Sequence, residues 1–238
     1  MSTNSLFTVL GIGSHPDDLE ISCGGTLAKY VEHGHRVVMV CMTDGRHGRS
    51  CPPDEMAEIR RQEAEASAAL LGAELEMMGY EDLGLEDNLE TRAKVVDVIR
   101  KFSPGVIITH APFDLNPDHR ITSKLVLDAL IPAITPTFET AHQACVEMPV
   151  LYYMSTVCGT DFNPEEYVDI TGSLKPKLEA LSKHVSQLEV YLEYENRDLL
   201  KFVEAAAVVN GFRCGIGYAE GFRRPHIWTQ NPVGRLLP

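Results

Sequence analysis

The alternation of short strand-like runs with helix-length segments constrains the fold of this chain more than any other feature of its sequence. Runs at 6–13, 36–43, 74–78 and 105–109 predict β-strands. Segments at 24–33, 54–71, 88–102 and 121–134 have the apolar spacing of helices. Strands that alternate with helices form βαβ units with right-handed crossovers. We therefore predict an α/β protein with a Rossmann-like three-layer fold and a mostly parallel sheet.

The second half of the chain is less regular. Residues 150–154 and 167–170 have the pattern of strands, and 174–187 and 196–209 that of helices. No internal repeat or linker separates the two halves of the sequence. We therefore expect the 238 residues to form one domain, 1–238, with an irregular C-terminal part.

The composition disfavours several classes of partner. Because 34 Asp and Glu residues outnumber 21 Lys and Arg residues, the net charge is −13, which argues against a nucleic acid or an anionic membrane as the main partner. No apolar stretch approaches the roughly 20 residues that span a bilayer, and we expect no signal peptide. The 6 cysteines form no C-x-x-C pair, and we expect them to be buried in the protein core. We also expect a reducing compartment, in which they form no disulfides. We therefore expect a cytoplasmic protein, and a homo-oligomer is compatible with the sequence.

Polar clusters follow three of the predicted strands, at the point where each strand ends. They comprise His15, Asp17, Asp18 and Glu20 after the first strand, Asp44, Arg46 and His47 after the second, and His110, Asp114, Asn116, Asp118 and His119 after the fourth. The carboxyl ends of parallel strands share one edge of a sheet, where ligands of α/β proteins bind. We therefore expect these clusters to converge on one site.

Two histidines and one carboxylate from these clusters match the donor set of a catalytic metal. A catalytic zinc takes three protein ligands of this kind and keeps one position open for water, and we assign His15, Asp18 and His119 to it. The metal lowers the pKa of its bound water from about 15.7 to about 7, and Asp17 can accept a proton as general base. The same donors suit iron, cobalt or manganese, so the sequence predicts Zn²⁺ or another divalent transition metal.

Two simpler interpretations of the first cluster are open. The HPDD sequence at 15–18 can merely start a helix, with one of its aspartates as the N-cap. Gly11-x-Gly13 begins like a dinucleotide-binding loop, but Pro16 stands where the third glycine belongs. The second histidine and aspartate cluster, at another strand end, favours the metal site over both.

Several of these residues resemble one known family. The HPDDLE sequence at 15–20, the pair Gly24 and Gly25, and the DLNPDHR sequence at 114–120 are similar to motifs of the LmbE/PIG-L deacetylases. The similarity continues in shorter pieces through Thr43-Asp44-Gly45, Arg60-x-x-Glu63, Tyr80-Glu81-Asp82, Lys177 and His184-x-Ser186-Gln187. The resemblance implies a zinc-dependent N-deacetylase that removes an acetyl group from an N-acetylglucosamine-containing small molecule.

The resemblance also implies roles for individual residues. It gives the same metal ligands and the same base as above, and it implies that Arg60 and Asp82 hold polar groups of the substrate. We add His47 and His110, which follow the second and fourth predicted strands, as further substrate contacts. The expected partner is therefore a small N-acetylated, sugar-like molecule.

One position departs from the family pattern. Many members have a histidine where this chain has Asn116, and the family assigns that histidine to oxyanion stabilisation or amine protonation, helped by the aspartate at Asp118. Asn116 can donate a hydrogen bond but carries no proton to transfer at neutral pH. We assign Asn116 and Asp118, together with Asp17, to catalysis. The acid is left open among Asp17 and the histidines His47, His110 and His184.

Two other functions are compatible with this sequence. The chain can be an amidase that acts on another small N-acyl compound, such as a thiol conjugate or an antibiotic. Alternatively, the substitution at Asn116 leaves a homologue that binds a metal or a ligand with weak or lost catalysis. Bound metal together with acetate release from N-acetylglucosamine derivatives distinguishes these functions.

Overall fold

The computed structural model describes residues 6–47, 51–156 and 161–227. Within them lie the strands β1 (Thr8–Gly13), β2 (Arg36–Thr43), β3 (Glu74–Tyr80), β4 (Val106–His110), β5 (Val150–Met154), β6 (Glu166–Asp169) and β7 (Ala219–Arg223). The helices are α1 (Asp18–Glu32), α2 (Pro53–Leu71), α3 (Leu89–Phe102), α4 (Pro117–Ile134), α5 (Leu174–Leu181), α6 (Val185–Glu195) and α7 (Leu199–Cys214). The predicted alternation of strands and helices in the first half is confirmed.

The strands form one sheet in the order β3-β2-β1-β4-β5-β7-β6. Strands β1 to β5 pair in parallel, whereas β7 is antiparallel to both β5 and β6. The chain adds β2 and β3 on one side of β1 and then crosses to β4 on the other side. Ligands of such sheets bind where the strand order reverses, beyond the carboxyl ends of β1 and β4. The predicted α/β fold with a mostly parallel sheet is confirmed.

Apolar side chains of the central strands alternate between two layers of helices. Leu10 and Ile12 of β1 lie in a core with residues of α3 and α4, such as Leu125. Val9, their neighbour in the same strand, lies in a second core with residues of α1 and α2, such as Leu27. A strand buried on both faces has this pattern because successive side chains point to opposite sides. The sheet is therefore the middle of three layers.

Both helices that follow the central strands begin earlier than predicted. α1 begins at Asp18 rather than at residue 24, and α4 begins at Pro117 rather than at residue 121. The α4 terminus is capped by Asn116, whose Oδ1 accepts the backbone N–H of Asp118 at 2.9 Å. The HPDD motif therefore ends at the first residue of α1, and the DLNPDHR motif runs into the first turn of α4.

The glycine pair in α1 lies inside the helix, so the prediction that the helix starts there is wrong. A Cβ at Gly25 would lie 2.9 Å from Cγ2 of Ile170. The backbone N–H of Gly25 also donates to Oε1 of Glu220 at 2.9 Å. The helix tolerates the weak propensity of glycine because the end of β6 and the strand β7 approach it so closely here.

The C-terminal part is more regular than predicted. The expected helix at 174–187 is two helices, α5 and α6, since the chain turns at 182–184. β7 escaped prediction because Glu220 interrupts its apolar pattern. That carboxylate is buried and pairs with the buried ammonium of Lys177. The strand is thus held by an internal ion pair as well as by apolar packing.

The expected burial of the cysteines is confirmed for three of them. Cys23, Cys41 and Cys145 are buried. Cys51 is half-buried and Cys214 is exposed, whereas the remaining cysteine, residue 158, lies outside the described residues. Among the described residues, no helix combines the length and apolar character needed to cross a membrane.

Two neighbouring substitutions in α1 should change stability in opposite directions. We expect Gly25→Ala to lower the free energy of unfolding by about 1–2 kcal/mol, because overpacking against Ile170 exceeds the gain in helix propensity. Gly24→Ala is the matched control, because its Cβ would meet nothing nearer than Cγ of Lys177, at 3.4 Å, which is ordinary van der Waals contact. That variant should be neutral or stabilised. Urea unfolding measures both, and equal effects would contradict the packing argument.

Candidate metal centre

His15, Asp18 and His119 converge at the carboxyl ends of β1 and β4. Nδ1 of His15 lies 3.2 Å from Nε2 of His119, and Nε2 of His119 lies 3.2 Å from Oδ1 of Asp18. Nδ1 of His15 lies 3.4 Å from Oδ2 of Asp18. The three residues thus present one donor atom each, all within 4.8 Å of one another. Two nitrogens and one oxygen in this arrangement suit one small cation.

The outer nitrogen of each of these imidazoles is held by a carboxylate. Nε2 of His15 lies 3.0 Å from Oδ1 of Asp82 and 3.2 Å from Oδ2 of Asp118. Nδ1 of His119 lies 3.0 Å from Oδ2 of Asp114. Carboxylates in this position fix the orientation and tautomer of metal-ligating histidines and raise their basicity.

Asp18 is held from the opposite side by the backbone and by a further histidine. Its Oδ2 accepts the backbone N–H groups of Ser14 and His15, at 2.9 and 2.7 Å. Nε2 of His110 lies 3.1 Å from the same oxygen, and the His110 ring stacks on that of His119 with centroids 4.0 Å apart. The carboxylate is therefore oriented before any ligand binds.

The electrostatics of the cluster favour a cation. Burial lowers the pKa of His15, but Asp18, Asp118 and Asp82 outweigh burial and hold that pKa well above its ordinary value. Burial likewise opposes the charge on His119, yet Asp18 and Asp114 raise its pKa to about 9. A divalent ion bound here would therefore compete with protons on these two rings. The donor set, its supporting carboxylates and its charge all fit a metal.

Asp17 lies beside the three assigned ligands, and its backbone is strained. Its backbone has φ 124° and ψ −24°, and its side chain makes no capping bond to α1. Burial raises the pKa of Asp17 to about 6, against the opposing effect of Arg60. HPDD does start a helix, but Asp17 does not cap it.

The cluster forms the floor of an open cavity of about 480 Å³. The polar part of its lining consists of His15, Asp17, Asp18, His47, Arg60, Asp82, Asp114, Asn116, His119 and Gln187. The apolar part consists of Ile21, Leu83, Leu115, Pro117, Val190 and Tyr191. A cavity of this size with a polar floor and apolar walls accommodates a small molecule.

The structure brings most of the predicted substrate contacts to this cavity. His47, Arg60 and Asp82 all line it. Asp82 is also engaged by His15, and Arg60 donates from Nη2 to the backbone carbonyl of Pro16. Asn116 lines the cavity as well. Because its Oδ1 caps α4, the remaining polar group of its side chain is the Nδ2 amide NH2.

Three other candidates lie behind the cavity wall. Asp118 is buried, bonded to His15 and to the backbone N–H of Leu83. The structure does not bring His110 to the cavity surface, because its ring lies behind that of His119. His184 is fully buried, with Nε2 3.0 Å from Oε1 of Glu20.

Sequence reasoning missed two parts of the site. Asp114 was placed in a cluster but given no role, although its position in the DLNPDHR sequence was a usable signal. Gln187, Val190 and Tyr191 of α6 form a cavity wall. The family similarity reaches Gln187, but no local pattern marks Val190 or Tyr191. Their placement depends on the turn between α5 and α6, which the sequence did not predict.

Comparisons with known proteins find one matching family model and relatives named deacetylases. The family model described as "PIG-L: GlcNAc-PI de-N-acetylase" matches residues 10–130. Diacetylchitobiose deacetylase from Thermococcus kodakarensis is 30% identical over 235 residues, which cover 92% of this chain and 84% of that protein. The solved structure of N,N'-diacetylchitobiose deacetylase from Pyrococcus horikoshii has a TM-score of 0.80 and 31% identity, covering 91% of this chain and 82% of that one.

Another relative has a different named activity. The 4-oxalmesaconate hydratase from Pseudomonas putida is 27% identical over 229 residues, covering 91% of this chain and 88% of that protein. On the family model and the deacetylase relatives together, the chain belongs to the PIG-L family, as its motifs predicted.

Metal binding should release protons and weaken as the pH falls. Since the pKa of His119 is raised to about 9, its ring carries a proton at pH 7 that the ion would displace, and the raised pKa of His15 acts in the same direction. We expect release of at least one proton per ion, so that affinity falls at least about 10-fold between about pH 7 and about pH 6. Zinc competition with a chromophoric chelator measures this dependence. An affinity independent of pH over this interval would refute the assigned ligands.

Proposed function

We propose that this protein is a metal-dependent hydrolase that removes the N-acetyl group from an amino sugar or another N-acetylglucosamine-containing small molecule. The observation that carries the proposal is the convergence of His15, Asp18 and His119, with Asp17 beside them, on the floor of one cavity. The similarity to diacetylchitobiose deacetylases supports both the reaction and the substrate class.

Amide hydrolysis needs an activated water and a base, and different residues of the chain would supply them. A divalent ion held by His15, Asp18 and His119 would polarise the amide carbonyl and activate water. Asp17 accepts a proton from the attacking water. Asp82, Asp114 and Asp118 orient the two imidazoles from behind. We propose zinc as the ion, since two imidazoles and one carboxylate are a common zinc set.

Asn116 and His47 are the groups best placed to replace the missing family histidine. Both line the cavity, whereas His110 and His184 are buried behind it. The Nδ2 amide NH2 of Asn116 can donate a hydrogen bond to the developing oxyanion but transfers no proton. The proton for the leaving amine therefore comes from Asp17, which has received one, or from His47.

The apolar lining suits the carbon faces of a sugar ring. Leu83 and Leu115 are 61% and 77% exposed at the cavity, where a bound molecule would cover them. Asp82 and His47 offer polar contacts to hydroxyl groups beside these walls.

Acetate release tests the proposed function directly. The purified chain is loaded with Zn²⁺, Co²⁺ or Mn²⁺ and assayed with N,N'-diacetylchitobiose and N-acetylglucosamine. Because one relative is named 4-oxalmesaconate hydratase, hydration of 4-oxalmesaconate is assayed in parallel. Tight metal binding without acetate release from any N-acyl substrate contradicts the proposal and favours hydration or ligand binding alone.

Asp17→Asn should abolish turnover and keep the metal. The amide has the shape of the carboxylate but accepts no proton, so we expect kcat to fall about 100- to 10,000-fold. Metal content, measured by mass spectrometry, should equal that of the wild-type chain, because Asp17 supplies no assigned ligand atom. Loss of the metal instead would show that base and ligand were exchanged.

Asn116→His should leave the metal content unchanged and raise or alter deacetylation, because a second donor with a transferable proton faces the cavity. The change also removes the cap of α4, at about 1 kcal/mol of stability. Asn88→His is the matched control, since Asn88 caps α3 through the backbone N–H of Thr91, away from the cavity. An unchanged rate in Asn116→His, with equal loss of stability in both variants, would show that another group serves as donor and acid.

A further inference from the structure

The strained backbone of Asp17 needs a restraint. Its φ of 124° lies in a backbone region that residues other than glycine rarely adopt. Conformations of this kind cost about 1–3 kcal/mol and persist only where the surroundings enforce them. The helix α1 bonds the carbonyl of Asp17, which accepts the backbone N–H of Ile21 at 3.0 Å, but the Asp17 side chain makes no capping bond. The side chain and the peptide group before Asp17 must therefore be held by another element.

Arg60 of α2 supplies that restraint. Arg60 is 3% exposed, and its Nη2 donates to the carbonyl of Pro16. This carbonyl belongs to the peptide bond between Pro16 and Asp17. The same Nη2 lies 3.4 Å from Oδ1 of Asp17. One guanidinium therefore contacts both the backbone and the carboxylate of the strained segment. Both contacts come from the one nitrogen Nη2, whose two N–H groups can donate to a carbonyl and to a carboxylate at the same time.

Gly45 makes room for this arginine. It follows β2 with φ 66°, and a Cβ there would lie 2.6 Å from Nη1, 2.8 Å from Cδ and 2.9 Å from Cζ of Arg60. The loop around Gly45 is fixed on both sides. The backbone N–H of Asp44 donates to the carbonyl of Tyr80 at 2.9 Å, and that of Arg46 donates to Oδ1 of Asp44 at 3.1 Å. A side chain at position 45 would thus displace the guanidinium instead of the loop.

We propose that Arg60, passing over Gly45, is a positioning residue that holds Asp17 in its strained conformation against the metal-binding cluster. The inference rests on the proposed function, in which Asp17 is the base. It differs from the expectation that Arg60 binds substrate, because a positioning residue acts on kcat whereas a residue that only binds substrate acts on KM.

Gly45→Ala tests this proposal without changing a group that can contact the substrate through a charge or hydrogen bond. We expect kcat for acetate release to fall about 10- to 100-fold, as for a displaced catalytic group, with KM changed less than about twofold and metal content unchanged. Gly215→Ala is the matched control, because Gly215 has φ 71° and nothing lies within 4 Å of its Cβ position. It imposes similar backbone strain far from Arg60 and should keep the wild-type kcat.

A double-mutant cycle separates the role of Arg60 from general damage. In an Arg60→Ala background the collision is absent, so Gly45→Ala should lower kcat no further than Arg60→Ala does alone. Additive losses, or an effect of Gly45→Ala no larger than that of Gly215→Ala, would overturn the proposal. A rise in KM with unchanged kcat in Arg60→Lys would assign Arg60 to substrate binding instead.

Crystal structures of the two glycine variants give a readout that does not depend on activity. In Gly45→Ala we expect the guanidinium to leave the carbonyl of Pro16 and Asp17 to leave its positive φ, whereas Gly215→Ala keeps both. An unchanged Asp17 in Gly45→Ala refutes the positioning role. If the wild-type chain releases no acetate, the proposed function fails on its own, and the structures still decide the role of Arg60.

Discussion

The carboxylate of Asp18 is the contact on which the site depends. It accepts the backbone N–H groups of Ser14 and His15, and imidazole nitrogens of His15, His110 and His119 surround it. Because the N–H groups belong to the chain that leaves β1, the strand end and the first turn of α1 are fixed together. Burial would raise the pKa of Asp18, but the histidines, His119 first, hold it well below its usual value. A negative charge therefore lies among the groups that could hold a cation.

The sheet and the helix termini supply the rest of this electrostatic design. β1 and β4 are neighbours whose carboxyl ends deliver His15 and His119 from two distant parts of the sequence. Asp18 and Asp118 lie in the first turns of α1 and α4, where the partial positive charge of a helix N-terminus stabilises carboxylates. The same two helices thus position the carboxylates that join or orient the imidazoles.

The sequence was most informative where one local pattern carried both structure and chemistry. Polar clusters directly after apolar strands, combined with the rule for parallel sheets, were sufficient to expect His15, Asp18 and His119 together. The position of His110 behind a ring instead of in the cavity depends on side-chain packing that no spacing encodes. The wall from α6 and the strand β7 depend on contacts between distant segments, and a buried charge in β7 hides its pattern. Glycines misled the prediction of α1 because their neighbours, not their propensity, decide their role.

Glu220 carries a consequence for how this chain can vary. Its carboxylate accepts the backbone N–H groups of Gly25 and Thr26 and the hydroxyl of Thr26, while Lys177 bonds both Glu220 and the carbonyl of Ile21. Removal of either charge would strand the other in the interior, which is more damaging than exchanging both for apolar groups. We therefore expect a single substitution at either position to cost more stability than replacing both. Substitutions at Lys177 and Glu220, in the last third of the chain, would thus also disturb α1, the helix that begins with Asp18.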